Sequence, residues 1–162
     1  MSLAETATKG IASADDDWKD VAARIAALTE GEDDTIAKMA TIACELFHAF
    51  ERFHWVGFYR NVGNETLKIG PYQGGHGCLV IPFARGVCGA CATARETIIV
   101  PDVDAFSSHI ACSSTTRSEI VLPVFEKGEL IAVLDIDSDF PDAFSEEDGR
   151  HLEAILKQAF GS

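Results

Sequence analysis

The stretch Ile120-Val121-Leu122-Pro123-Val124-Phe125-Glu126-Lys127-Gly128-Glu129-Leu130-Ile131-Ala132-Val133-Leu134-Asp135-Ile136 decides the fold. Two apolar runs flank a short polar link that contains a glycine, the pattern of a β-hairpin. Working back, Thr97-Ile98-Ile99-Val100 ends at Pro101 and reads as a strand, as does Leu79-Val80-Ile81-Pro82-Phe83. Trp55 to Tyr59 and Thr66 to Tyr72 are two more, joined through the turn signal Gly63-Asn64. Several of these connections are too short for anything but hairpins, so the sheet is expected to be mostly antiparallel.

Helical periodicity lies outside this run. Asp15, Asp16 and Asp17 precede a stripe of Trp18, Val21, Ala22, Ile25 and Leu28, which Gly31 stops. Asp33 and Asp34 open a second helix with Ile36, Ala40, Ala43, Phe47 and Phe50 on its apolar side. Gly86 to Arg95 is alanine-rich and forms a short third helix, and Ser145 with Asp148 makes a capping box for a last one over 146–160. Ala105 to Arg117 lacks a period and reads as a folded loop. Gly74, Gly75 and Gly77 make a flexible loop around His76, a surface turn or a closing lid. The class is α+β: a mostly antiparallel sheet with helices packed on it. Residues 1–14 are expected to be a flexible tail and 15–162 a single domain.

The chain has 162 residues, 47% of them hydrophobic, enough for a core without disulfide staples. Its net charge of −13 repels nucleic acid and anionic lipid and favours a cationic or zwitterionic small ligand. No apolar run approaches the ~18 residues of a membrane span, and the first residues lack a signal sequence, so a cytoplasmic protein is expected. Five cysteines in such a compartment are normally reduced, and an odd number argues against a closed disulfide framework.

Cys44 and Cys91 sit in apolar helical contexts and read as core residues. Cys78, Cys88 and Cys112 each adjoin glycine or irregular chain, where function concentrates. Cys88 lies near a helix N-terminus, a place that lowers a thiol's pKa. On composition alone, catalytic and structural roles stay open for all three. Cys88-x-x-Cys91 with His109-x-x-Cys112 also resembles a zinc set, although it falls in a helical stretch and leaves Cys78 without a role.

Asp135 and Asp137, two apart on a strand, share a sheet face, and Glu119 begins the strand before. Acids gathered on one face raise at least one pKa, which suits a general acid near neutral pH, and they also suit an ammonium group; the plain alternative is a solvated strand end. Trp55 and Tyr59, four apart, share a face and either line a pocket or fill the core.

Together these pieces resemble the free methionine-(R)-sulfoxide reductases, single-domain members of the GAF fold. The matching stretches are Gly77 to Phe83, Gly86 to Gly89, Val100 to Val103, His109 to Cys112, Ser118 to Pro123 and Leu134 to Ser138, within a likeness running from about Trp18 to Phe160. The trio Cys78, Cys88 and Cys112, at intervals of ten and 24 residues, is its specific part.

The resemblance implies reduction of free methionine-(R)-sulfoxide to methionine. Cys112 matches the catalytic cysteine, Cys78 the resolving one and Cys88 a third able to form a disulfide. Glu119, Asp135 and Asp137 match the carboxylates that bind the substrate, and Trp55 and Tyr59 the aromatic pair around its methyl group. It implies no bound cofactor, recycling by an external thioredoxin-type reductant, and a homodimer. Cys91 departs from the family pattern and leaves a Cys88–Cys91 disulfide open. The rival readings are a GAF module that only senses a ligand, the zinc protein, and a general thiol oxidoreductase using Cys88-x-x-Cys91.

Overall fold

The computed structural model describes residues 14–106 and 112–161; of the expected tail at 1–14, all but Ala14 lies outside them. In chain order the elements are α1 (Ala14–Leu28), α2 (Thr35–Ala49), β1 (Trp55–Asn61), β2 (Thr66–Gln73), β3 (Val80–Pro82), α3 (Gly86–Ala94), β4 (Ile98–Val100), a 3-10 turn at Val103–Ala105, β5 (Ser118–Glu126), β6 (Glu129–Ser138) and α4 (Glu146–Phe160). The strands form one sheet in the order β3-β2-β1-β6-β5-β4, and every neighbouring pair is antiparallel. The β5–β6 hairpin lies in its inner half, with Ser118 opposite Ser138 and Glu126 opposite Glu129. Asp15 to Asp17 lie at the start of α1, as expected, where acids favour the helix N-terminus.

Residues alternate between the two faces of the sheet. Val56, Phe58, Ile120, Leu122, Leu134 and Ile136 point to the side covered by α1, α2 and α4. Tyr59, Val121 and Val133 point to the other side, where α3 brings Val87, Cys88 and Cys91. Because both sides are covered, β5 and β6 read as unbroken apolar runs instead of an apolar–polar alternation.

The helix-covered side is tied together by Asp148. Its Oδ1 accepts from Trp18 Nε1 at 3.0 Å and from Arg52 Nη2 at 2.8 Å. Its Oδ2 accepts from the Ser145 backbone N–H at 2.9 Å, which completes the expected capping box. One carboxylate thus caps α4 and anchors α1 and the α2–β1 link to it. Cys44 differs from its expected core role: it is half-exposed on α2, with Sγ 3.7 Å from His48 Nδ1. The buried side of that helix is held by Met39, Ile42, Ala43 and Leu46.

Candidate active site

The sheet register assembles the acids. Glu119 on β5 stands opposite Asp137 on β6, Asp135 is two residues along the same face, and Trp55 on β1 stands opposite Asp137 from the other side. Glu119 and Asp135 are buried, and Asp137 is half-buried. Asp135 lies within hydrogen-bonding reach of Glu119, Asp137 and the Cys88 thiol. Burial pushes all three carboxyls well above the usual carboxylate range, and each is pushed further by a neighbour: Glu119 by Asp135, Asp135 by Asp137, Asp137 by Glu119. Oδ1 of Asp135 and Oδ1 of Asp137 are buried with no hydrogen-bond partner. Such acceptors are costly to leave unmade and await a donor. Asp137 is therefore no solvated strand end.

The cysteines divide sharply. Cys78 and Cys112 are joined by a disulfide, with Cα atoms 5.4 Å apart across 34 residues of chain. Cys112 lines the pocket that the acids floor; Cys78, at the end of the glycine loop, packs beside it against the pocket-side core. Cys88 and Cys91 are free and buried on α3. Burial first, then Asp135, Glu119 and Asp137, push the Cys88 thiol up rather than down. Desolvation and acidic neighbours thus override the helix N-terminus that was expected to lower it. Cys91 is core, as expected, its thiol pushed up chiefly by burial. Of the zinc set, the Cys112 sulfur is bonded to Cys78, and His109 lies outside the described residues. A Cys88–Cys91 disulfide is not formed.

The aromatic pair forms one wall. The Trp55 ring stacks on Tyr59 with centroids 5.9 Å apart, and on Tyr72 at 5.4 Å. It folds back over Gly57, where a Cβ would overlap its outer edge. Burial and then Asp135 push the Tyr59 hydroxyl up, so it stays protonated. The glycine loop is pinned to this wall: Trp55 Nε1 donates to the Gly75 carbonyl at 2.7 Å. A Cβ on Gly77 would stand 2.9 Å from both the Trp55 ring and the Tyr59 hydroxyl. The loop is an exposed turn at Gly74 to His76, as one of the two sequence readings had it, and it also forms a fitted side of the pocket.

The pocket encloses about 230 Å³ and is also lined by His54, His76, Ser113, Thr115, Thr116 and Asp139, with no lysine or arginine among its lining residues. Of these, sequence reasoning had noted only His76. His54 Nδ1 accepts the Asp139 backbone N–H at 2.9 Å. The signal available was the period-two run Asp135, Asp137, Asp139, with His54 directly ahead of Trp55.

A disulfide beside carboxyls pushed above their usual range, unpaired acceptors and an aromatic wall is suited to thiol redox chemistry on a small cationic or zwitterionic molecule. Comparison with known proteins agrees. A GAF domain family profile matches residues 29–159. The GAF domain-containing protein A of Dictyostelium discoideum is 42% identical over 145 residues, 90% of this chain and 91% of that protein. The free methionine-R-sulfoxide reductase of Escherichia coli is 39% identical over 132 residues, 82% of this chain and 79% of that protein. The crystal structure of the free methionine-R-sulfoxide reductase of Neisseria meningitidis with its substrate superposes with a TM-score of 0.83 at 42% identity, covering 88% of this chain and 85% of that one. The chain belongs to the GAF domain family and, within it, to the group that holds the free methionine-R-sulfoxide reductases.

Proposed function

We propose that this protein reduces free methionine-(R)-sulfoxide to methionine through Cys112, with Cys78 as the resolving thiol. The observation that carries the reading is the Cys78–Cys112 disulfide beside a pocket floored by Glu119, Asp135 and Asp137. In the reduced protein the Cys112 thiolate attacks the sulfoxide sulfur. The sulfoxide oxygen takes a proton from one of the raised-pKa carboxyls. The substrate's S–O bond breaks as the oxygen passes to the Cys112 sulfur, methionine leaves, and Cys112 is left as sulfenic acid. The Cys78 thiol then attacks the Cys112 sulfur, water departs, and the disulfide forms. An external dithiol of the thioredoxin type takes the oxidising equivalent by exchange and returns both thiols. The scheme uses thiols and carboxyls alone and calls for no bound cofactor.

Substrate charge follows from the same acids. The unpartnered oxygens of Asp135 and Asp137 receive the α-ammonium of a free amino acid, which the amide nitrogen of a peptide residue cannot supply. Trp55 and Tyr59 enclose the methyl group. The R configuration is proposed on the likeness to the reductases of Escherichia coli and Neisseria meningitidis. A homodimer acting in the cytoplasm, implied by the family resemblance, belongs to the same proposal; among the described residues no helix is long and apolar enough to cross a membrane.

Thiol mapping tests the division of labour. Reduced protein is mixed with one equivalent of the free R sulfoxide, alkylated and mapped. The Cys78–Cys112 disulfide should form while Cys44, Cys88 and Cys91 stay alkylatable after unfolding. With Cys78→Ser, a sulfenic acid on Cys112 should persist and react with a dione probe. A product disulfide that includes Cys88 or Cys91 would overturn the assignment of Cys78.

A further inference from the structure

The acids and Cys88 form a second kind of site. We propose that Cys88, Glu119 and Asp135 bind a thiophilic divalent cation such as Zn2+, which occupies the place of the substrate's ammonium group. The second half of this statement rests on the reductase reading; the first does not.

Cys88 Sγ and one oxygen each of Glu119 and Asp135 all lie within 4.8 Å of one another. Ligands at about 2.0–2.3 Å from one zinc stand roughly 3.5 Å apart in a tetrahedron, so small rotations of these side chains close the set. All three donors are at least nine-tenths buried: Cys88 is 4% exposed, Glu119 6% and Asp135 5%. An independent observation points to a ligand. Oδ1 of Asp135 is buried with no hydrogen-bond partner, and so is Oδ1 of Asp137 beside it. No lysine or arginine lines the pocket to neutralise these groups. The cavity leaves a fourth position open for water, as in zinc sites that exchange a ligand.

The donor set also says which cation. Calcium and magnesium ask for six or more oxygens and gain little from a thiol. A thiolate with two carboxylates suits zinc, cobalt or cadmium. Binding is not a redox step: the Cys88 S–H bond breaks, its proton goes to solvent, the metal–sulfur bond forms, and any carboxyl proton is displaced in the same way. Neither Cys78 nor Cys112 belongs to the set, so the ion binds whether that pair is oxidised or reduced. The ion and the amino acid draw on the same buried oxygens of Asp135 and therefore exclude each other.

Cobalt makes the test visible, because a thiolate–Co2+ bond has a near-ultraviolet charge-transfer band. The full chain carrying Cys78→Ser and Cys112→Ser together cannot turn over. It should bind about one Co2+ with that band present, and Zn2+ should displace it. Adding Cys88→Ser should abolish the band. Glu119→Gln, which leaves the thiol in place, should keep the band and weaken the ion by about tenfold or more. Free methionine-(R)-sulfoxide at ten times its own dissociation constant should weaken the ion's apparent affinity about tenfold, by competition. A band that is absent from the double variant, or that survives Cys88→Ser, overturns the site. An intact band that the sulfoxide leaves unmoved overturns the competition. If the wild type releases no methionine while the band behaves as described, the cation site stands and the reductase reading falls.

Discussion

The two faces of the sheet handle buried charge in opposite ways. On the helix-covered face Asp148 is met by Trp18, Arg52 and the Ser145 backbone, and it joins three segments of the chain. On the pocket face three carboxyls crowd a buried thiol with no lysine or arginine among the described lining residues, and two of their oxygens have no partner. The first arrangement stabilises the native state. The second destabilises it, because protons must be held on groups that would ionise freely in the unfolded chain. The lesson is that one sheet separates the work: the helix side supplies the stability against which the pocket side keeps crowded, buried acids, which the proposed function uses to give a proton and to meet an ammonium group.

That contrast can be broken or sharpened by substitution on each face. The largest effect belongs to the proposed nucleophile. Cys112→Ser should lower single-turnover methionine release by at least ~10³-fold, while the melting curve of the reduced protein barely moves. Next is the helix face. Trp18 is buried against Phe50 and His151 and donates to Asp148, so Trp18→Ala should cost about 3–5 kcal/mol in denaturant unfolding. The kcat of the protein that remains folded should stay at the wild-type value. An equal loss of kcat would show that the faces are not separate.

On the pocket face the two readouts should move in opposite directions. Asp135→Asn keeps the shape, removes the acid and should lower kcat/KM by roughly 10–100-fold, the worth of a hydrogen bond to the charged ammonium group. It should raise the unfolding midpoint, because a buried, crowded carboxyl is gone. The smallest effect is a pH slope. Glu119 has a folded-state pKa raised by burial and by Asp135. Near pH 4 and below, the folded and unfolded chains both hold its proton. Above the unfolded value of about 4.3, only the folded chain keeps it, so stability falls as pH rises, until the folded pKa is passed. The loss is about 1.4 kcal/mol for every tenfold by which the fold weakens the acid. Glu119→Gln should remove this part of the slope, so the variant gains on the wild type between pH 5 and pH 8 in thermal melts.

Much of this arrangement was legible in the chain. The hairpin from Ile120 to Ile136 announced itself by its apolar runs and its polar link, and the alternation of strand side chains placed Asp135 and Asp137 on one face. The capping box at Ser145 was equally local. The cysteine roles needed the family likeness, since nothing in the spacing of Cys78 and Cys112 says that they meet. What stayed hidden is tertiary. The docking of α3 lays Cys88 against Asp135 and reverses the pKa expected from its place near a helix start. The half-exposure of Cys44 depends on which side of α2 meets the sheet. The fit of Gly77 under Trp55 and Tyr59, and the closure of the pocket by His54 and Asp139, depend on the order of the strands and not on any one of them.

The most direct test is methionine release in a single turnover by pre-reduced wild type offered three substrates: free methionine-(R)-sulfoxide, its S epimer, and the N-acetylated R form. Release from the free R form alone is the expected result, and it supports both the reductase reading and the ammonium role given to the pocket acids. Equal release from the N-acetylated form would contradict the role given to those acids. No release from any of the three by folded, reduced protein would contradict the reductase itself.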